Sequence, residues 1–271
     1  MNPLKVQRLN KVSTVILLIL IFWALVGVIW WPIKVTSFWG IGLGVIAAVF
    51  YILCHYFSQM GIKKAALACL AILAVIIGAA LLNVIRGWPF GFVTYHDILG
   101  WKILNVAWPV PIFWFFLNAA VLLLMRPVKM SNDPKLLFAW AFDTAFSIMI
   151  ISLIIEPIMA SSTAEAWSMP GNFLGVPMNC FIGWFIVSFV ASAVAILVGK
   201  LWLIPDQPKP ASLYIVLISL VLLGLMTAKN LGLVPVMGLS IILLAYLSVW
   251  AFLLFARKPK DVNPEVTAST S

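Results

Sequence analysis

Long apolar runs, interrupted by short polar or proline-containing segments, dominate this sequence. Eight of these runs are each about twenty residues long, and none alternates strictly between apolar and polar positions as a half-buried strand does. A helix of this length crosses the hydrocarbon core of a bilayer and satisfies its own backbone hydrogen bonds there. The pattern therefore predicts helices near 13–31, 36–57, 65–85, 108–125, 136–159, 178–199, 211–228 and 233–256.

Composition supports the same fold class. Of 271 residues, 64% are hydrophobic and 9% are charged, whereas soluble domains are about 45–50% apolar and about 25% charged. This contrast excludes a water-soluble globule, a disordered chain and a nucleic-acid-binding module that depends on a charged face. We expect an all-α, polytopic membrane bundle in residues 1–258, with an uncleaved first helix, and a polar, disordered tail in 259–271.

The positive charges indicate an orientation. The net charge is +9, from 17 Lys and Arg against 8 Asp and Glu. With eight helices, thirteen of the cations lie on the side of the two termini, and only four lie on the other side: Lys34, Arg86, Lys102 and Lys229. Cytoplasmic loops are enriched in Lys and Arg, so both termini are expected in the cytoplasm, in a multi-pass protein of the cell membrane.

Cysteine and metal-ligand patterns are not informative about chemistry. Cys54, Cys69 and Cys180 lie in apolar runs without a CxxC spacing, which favours buried thiols over a disulfide. The sequence contains no HExxH motif and no carboxylate-rich metal spacing. We therefore expect no metal site.

Carboxylates inside membrane helices are rare and costly, so they are the first functional candidates. Only Asp143 and Glu156 fall within a predicted helix, and both belong to the fifth. Thirteen residues separate them, or about 20 Å along a helix axis, so they cannot form an acid–base pair. Other acids, including Asp97 and Glu165, fall in the predicted connections or the tail.

Aromatic and polar side chains are dense at the end of the bundle where Glu156 is expected. An interfacial aromatic belt explains single Trp and Tyr residues equally well. Glu156 at a helix end is also compatible with solvation among lipid headgroups. A histidine in a loop is usually a surface residue. The candidates in this half of the bundle, besides Glu156, are Trp88, Tyr95, His96, Asp97, Trp167, Asn172 and Asn179, with Trp114 and Asn118 deeper in the fourth helix.

An apolar site that contains a carboxylic acid and aromatic walls suits protonation of an electron-rich double bond. The pKa of a carboxyl group in a dry site is raised, so the group stays protonated near neutral pH. Ring faces stabilise the resulting carbocation by up to about 2 kcal/mol each. Water would then complete a hydration, and exclusion of water would allow cyclisation. The composition permits isoprenoid chemistry but does not require it.

Two segments carry a resemblance to a known family. Residues 87–118 contain Pro89-Phe90-Gly91 followed by Tyr95. Residues 156–185 contain Glu156-Pro157, then Trp167, then Gly175-Val176-Pro177 with Asn179 and Gly183-Trp184. In this order and spacing they resemble the carotenoid biosynthesis membrane family, which includes carotenoid 1,2-hydratases and bisanhydrobacterioruberin hydratases. Relatives often carry a second acid one helical turn before the acid-Pro pair, where this chain has Ser152.

The resemblance implies addition of water to the terminal double bond of an acyclic carotenoid, through a tertiary cation and without a cofactor. It makes Glu156 the proton donor, assisted by Tyr95 and Asn179. The implied partners are the carotenoid, water, membrane lipids and other carotenoid biosynthesis enzymes, without nucleic acid. The substrate-binding candidates are Trp88, Phe90, Trp114, Asn118, Trp167, Asn172 and Trp184, and the secondary candidates are His96, Asp97 and Asp143.

Two other interpretations remain open. A carotenoid or isoprenoid cyclase or isomerase would also begin by protonation, but its product would gain no water. A transporter or lipid-binding membrane protein would require a polar path through the bundle, and the two acids within the predicted helices do not form one.

Overall fold

Eight α-helices form the fold in the computed structural model, which describes residues 3–30, 38–162, 164–169, 171–204 and 210–256. The all-α, polytopic fold class is confirmed. The predicted tail at 259–271 lies outside the described residues. The helices are α1 (Pro3–Trp30), α2 (Phe38–Met60), α3 (Ile62–Arg86), α4 (Pro109–Leu124), α5 (Pro134–Ser161), α6 (Met178–Gly199), α7 (Ala211–Asn230) and α8 (Val234–Ala256).

Local chemistry explains several of the helix ends. Pro134 occupies the first turn of α5, and the carboxylate of Asp133 accepts a hydrogen bond from the backbone N–H of Lys135 at 3.0 Å. Gly87 ends α3 in the left-handed conformation at φ +67°. The helix α1 begins about ten residues before the predicted apolar run, because the polar residues that precede the run are compatible with helix.

Seven of these helices are long and apolar enough to cross a membrane, among the residues that the structure describes. The exception is α4, which has 16 residues and is therefore about 24 Å long, shorter than a hydrocarbon core of about 30 Å. Nearly all of its side chains are buried. Apolar on all sides, α4 is a central helix that packs against α2, α3 and α5.

The bundle is continuous around this central helix. The largest helix interfaces join α5 with α6, α3 with α6, α7 with α8, and α1 with α2. One hydrophobic core extends through all of these helices. The predicted orientation, with both termini in the cytoplasm, stays a prediction.

Short strands organise the two long connections at one end of the bundle. We call this end the site end, and it is where α3 and α5 finish and α4 and α6 begin. The strands β1 (Val93–Tyr95) and β4 (Glu165–Trp167) pair antiparallel across the two connections. The strands β2 (Lys102–Ile103) and β3 (Val106–Ala107) form a separate hairpin within the first connection. The sequence did not predict these strands, because two or three residues are too few to show a period.

Candidate active site

Two buried carboxyl groups meet at the site end. Glu156 lies near the end of α5 and Glu165 lies in β4, and their exposed fractions are 3% and 6%. The two carboxyl groups are hydrogen-bonded to each other. We call them the acid pair. The sequence had placed Glu165 in a connection and gave Glu156 no acidic neighbour, so this second acid was missed.

The chain turns back after the end of α5, and this turn brings the two carboxyls of the acid pair together. Nine residues separate the two glutamates, and the backbone N–H of Ala164 donates to the carbonyl of Met159 at 3.0 Å, which folds the chain back over the helix end. The strand pairing then sets Tyr95 directly opposite Glu165. Opposed residues in an antiparallel pair project their side chains to the same face, so β1 and β4 form a cap over Glu156.

The charge of the acid pair is controlled by burial. Burial raises the pKa of Glu165 well above its usual value of 4.5, and the neighbouring Glu156 raises it further. Burial also raises the pKa of the Tyr95 hydroxyl, with a further contribution from Glu165. The indole Nε1–H of Trp184 donates to Oε1 of Glu156 at 2.6 Å. Burial and the neighbouring carboxyl of Glu156 thus both favour the protonated form of Glu165.

Aromatic rings line the site beside these acids. The Trp184 ring stacks on Trp114 with centroids 3.8 Å apart, and the centroid of the Phe90 ring lies 4.4 Å from that of Trp184 with the two rings tilted by 33°. Three rings from α4, α6 and the first connection thus form one stack that meets Glu156 through the Trp184 N–H. Such faces can stabilise a cation that forms next to the acid pair.

Asn83 and Gly183 hold Phe90 in this stack. The backbone N–H of Phe90 donates to Oδ1 of Asn83, and Nδ2 of Asn83 donates to the carbonyl of Gly91, both at 2.9 Å. A Cβ at position 183 would lie 2.7 Å from the carbonyl oxygen of Pro89. Only glycine on α6 therefore allows the Pro89-Phe90 turn to approach this closely.

Two spaces lie at the site end, and the smaller one adjoins the acid pair. A small cavity of about 10 Å³ lies among both glutamates and seven other side chains: Phe90, Val93, Tyr95, Val110, Trp167, Cys180 and Trp184. A larger pocket of about 570 Å³ lies outside it, and Trp167 lines both. The other residues that line the larger pocket are Gly87, Gly91, Phe92, Ser168, Met169, Gly171, Asn172, Phe173, Val176, Pro177, Met178 and Asn179.

The structure brings five of the thirteen predicted site residues to the small cavity. These are Glu156, Tyr95, Phe90, Trp167 and Trp184. Cys180 also lines this cavity and was missed, because the apolar run around it predicts only a buried thiol. No local sequence pattern places Glu165 and Trp167 on one face, because the alternation of buried and exposed positions in β4 arises only on folding and three residues are too few to show a period.

The remaining predicted residues occupy other positions near the site end or deeper in the bundle. Asn172 and Asn179 line the larger pocket and are exposed. Trp114 belongs to the aromatic stack. Asn118 lies one helical turn deeper in α4 and accepts a hydrogen bond from Ser192 at 3.3 Å. Trp88 is exposed and lines neither space.

The three secondary candidates are exposed. Nδ1 of His96 accepts a hydrogen bond from the N–H of Ile98 at 3.4 Å and caps a short 3₁₀-helix. Asp97 forms a 2.6 Å ion pair with Lys102. Asp143 lies on the exposed side of α5, far from Glu156, as their spacing predicted. The roles of all the predicted site residues stay predictions.

Comparison with known proteins identifies the family. The model of the family described as "Carotenoid biosynthesis protein" matches residues 40–247, which include both acids, the aromatic stack and the two spaces. The chain belongs to this carotenoid biosynthesis family. The resemblance predicted from the two sequence segments is confirmed.

One curated relative of this carotenoid biosynthesis protein is the bisanhydrobacterioruberin hydratase of Haloarcula japonica. The two are 33% identical over 134 residues, which is 48% of this chain and 44% of the relative. The match thus spans less than half the length of that hydratase. No solved structure matches the chain.

Proposed function

We propose that this protein adds water to the terminal double bond of an acyclic carotenoid by acid catalysis. Membership of the carotenoid biosynthesis family supports a carotenoid-modifying enzyme in a membrane, and the name of the Haloarcula relative supports a hydratase. The observation that carries the proposal is the acid pair, buried beside three stacked aromatic rings.

The acid pair meets the main requirement of the reaction. Protonation of an alkene needs an acid that keeps its proton at neutral pH, and the raised pKa of Glu165 provides one. Because the two carboxyls share one hydrogen-bonded proton, the pair acts as one donor, and Glu156 and Glu165 are both required. This extends the role expected for Glu156 alone.

The reaction proceeds in two steps without a redox cofactor. The pair transfers its proton to the less substituted alkene carbon, which leaves a tertiary cation beside the Trp184, Trp114 and Phe90 rings. Water then forms the C–O bond and returns a proton to the pair. The product is a tertiary alcohol, and the acid pair is ready for another turnover. The larger pocket provides an approach for the end of the carotenoid.

Expression of the full chain in cells that accumulate an acyclic carotene tests this function. We expect a product heavier by one water, and we expect Glu156→Gln to abolish it. Asp143→Asn is the matched control, because Asp143 lies on the same helix but away from the acid pair. Its product yield should equal that of the unmodified protein at equal expression.

Three results would contradict the proposal. A product of unchanged mass would indicate a cyclase or an isomerase. Full hydratase turnover by Glu156→Gln would remove the acid pair as the proton source. No change in any carotene, with the protein shown to be present in the membrane, would favour a non-enzymatic role.

A further inference from the structure

The small cavity beside the acid pair has the size of one water molecule. Its volume is about 10 Å³, at the lower limit of about 10–15 Å³ that a buried water requires. A buried water also needs two to four polar partners. The carboxyls of Glu156 and Glu165 and the hydroxyl of Tyr95 all belong to side chains that line this cavity.

The Trp167 indole provides an additional donor. Its Nε1–H is buried and has no acceptor among the residues that the structure describes, whereas the indole N–H of Trp184 donates to Glu156. Trp167 and Glu165 lie two residues apart in β4, so both side chains project to the same face of the strand. An unpaired buried N–H is costly, and a bound water would satisfy it.

We propose that this cavity binds the water that attacks the carbocation, and that the Trp167 N–H donates to the oxygen of this water. This inference rests on the proposed hydratase function and goes beyond it. It assigns the nucleophile to a site and makes Trp167 the residue that directs the cation toward hydration rather than proton loss.

Atoms and charge balance in both reactions that the carbocation can undergo. In hydration, a lone pair of the water oxygen forms the C–O bond, and the proton released from that oxygen goes to the carboxylate that had protonated the alkene. Without a held water, the carboxylate removes a proton from a carbon next to the cation. That step restores the alkene or forms its positional isomer, and no water is added. The acid pair regains its proton in either case.

The Trp167→Phe variant separates these two fates. The full-length protein, in membranes, is given an acyclic carotene in deuterium oxide, and both the alcohol and the deuterium in recovered alkene are measured. We expect the ratio of alcohol to deuterated alkene to fall by about two- to tenfold, since a single hydrogen bond is lost. Deuterium should still enter the alkene, because the acid pair is unchanged.

A matched control and a second variant make the result decisive. Trp101→Phe makes the same change at an exposed position in the connection that carries Tyr95, and the product ratio should stay at the wild-type value. Benzothienylalanine in place of Trp167 keeps the ring size and replaces the N–H by sulfur. It should reproduce the altered ratio even if Trp167→Phe does not fold.

Each outcome has one meaning. An unchanged ratio of alcohol to deuterated alkene in either folded Trp167 variant would overturn the water site. If the unmodified protein formed deuterated alkene but no alcohol, both the hydratase function and the water site would be wrong, although protonation would stand. Neither alcohol nor deuterated alkene from the unmodified protein would overturn the proposed function itself.

Discussion

Two acids at the site end lie in opposite environments: Glu165 in the β1–β4 sheet and Asp97 next to the β2–β3 hairpin. In the β1–β4 sheet, Glu165 is buried against Glu156, and burial raises its pKa. In the β2–β3 region, Asp97 is exposed, and a hydrogen bond and ion pair with Lys102 lower its pKa. Both acids belong to connections, and both lie within a few residues of an aromatic side chain.

This contrast shows that burial, and not position in a connection, separates a candidate catalytic acid from a surface acid. Glu165 is buried because β4 pairs with a strand from a different connection and closes over the end of α5. Asp97 starts a short 3₁₀-helix next to a local hairpin, where its carboxylate reaches water and a lysine. A protonated carboxyl is useful for alkene chemistry, and an ion-paired carboxylate is not.

The largest effect should come from removing either acid of the buried pair. Glu165→Gln and Glu156→Gln are each expected to lower hydration by about 10²–10⁴-fold, because the first removes the carboxyl that holds the proton and the second removes the carboxyl that is hydrogen-bonded to it. The double variant should be no worse than the single variants, since groups that act as a unit are not additive. Turnover of an acyclic carotene by purified protein in lipid vesicles measures all three.

Additive losses would contradict a shared-proton pair. If the loss in the double variant equalled the product of the two single losses, the glutamates would act independently. Normal turnover by Glu165→Gln alone would return Glu156 to the role of sole donor.

The turnover of the enzyme should depend on pH and should fall as the pH rises. Because the pKa of Glu165 is raised by burial and by Glu156, the pair is protonated at neutral pH, and turnover should fall as pH rises through this raised pKa. The other titratable groups that face Glu165 are Tyr95 on β1 and Cys180 on α6. The folded protein binds this proton more tightly than the unfolded chain does, so stability should also decline in the same direction.

A pH–rate profile of the purified protein measures this effect, with thermal unfolding followed in the same buffers. The Asp97→Asn variant is the control and should keep the wild-type profile. Turnover that increased with pH through the neutral range would indicate that an ionised carboxylate, and not a protonated one, performs the rate-limiting step.

A smaller effect should come from the close contact between α6 and the Pro89-Phe90 turn. In Gly183→Ala the new Cβ would lie 2.7 Å from the Pro89 carbonyl oxygen, so the turn must move. Overpacking of this kind costs about 1–3 kcal/mol, and displacement of Phe90 should also lower turnover. Thermal unfolding and the hydration rate measure both consequences.

Gly78→Ala in α3 is the matched control, because a Cβ there meets nothing within 4 Å. Alanine favours a helix interior over glycine, so this variant should be neutral or slightly stabilised. Equal effects of the two substitutions would contradict a specific role for the close contact at Gly183.

Sequence patterns predicted the helices well because each one is a long, continuous signal. The apolar runs gave all eight helices and the order of the motifs around Glu156. The acid pair needed information that no local pattern holds: the pairing of three residues of β4 with three of β1, across 70 residues of chain. Glu165 is a polar residue in a polar connection, so its hydropathy predicts an exposed side chain. It is buried only because β4 pairs with β1 and packs over the end of α5 in the folded protein.

The smallest effect should come from Asp97→Asn. This change removes the ion pair with Lys102, but the carboxylate is exposed, and surface ion pairs contribute little to stability. The lowered pKa of Asp97 adds stability only above its ordinary pKa, and this contribution is lost as pH falls. Turnover and thermal unfolding at neutral pH should therefore match the wild-type values. A loss of turnover comparable to that of Glu165→Gln would place the β2–β3 region inside the reacting site, and the contrast between the two sheets would then no longer separate chemistry from surface.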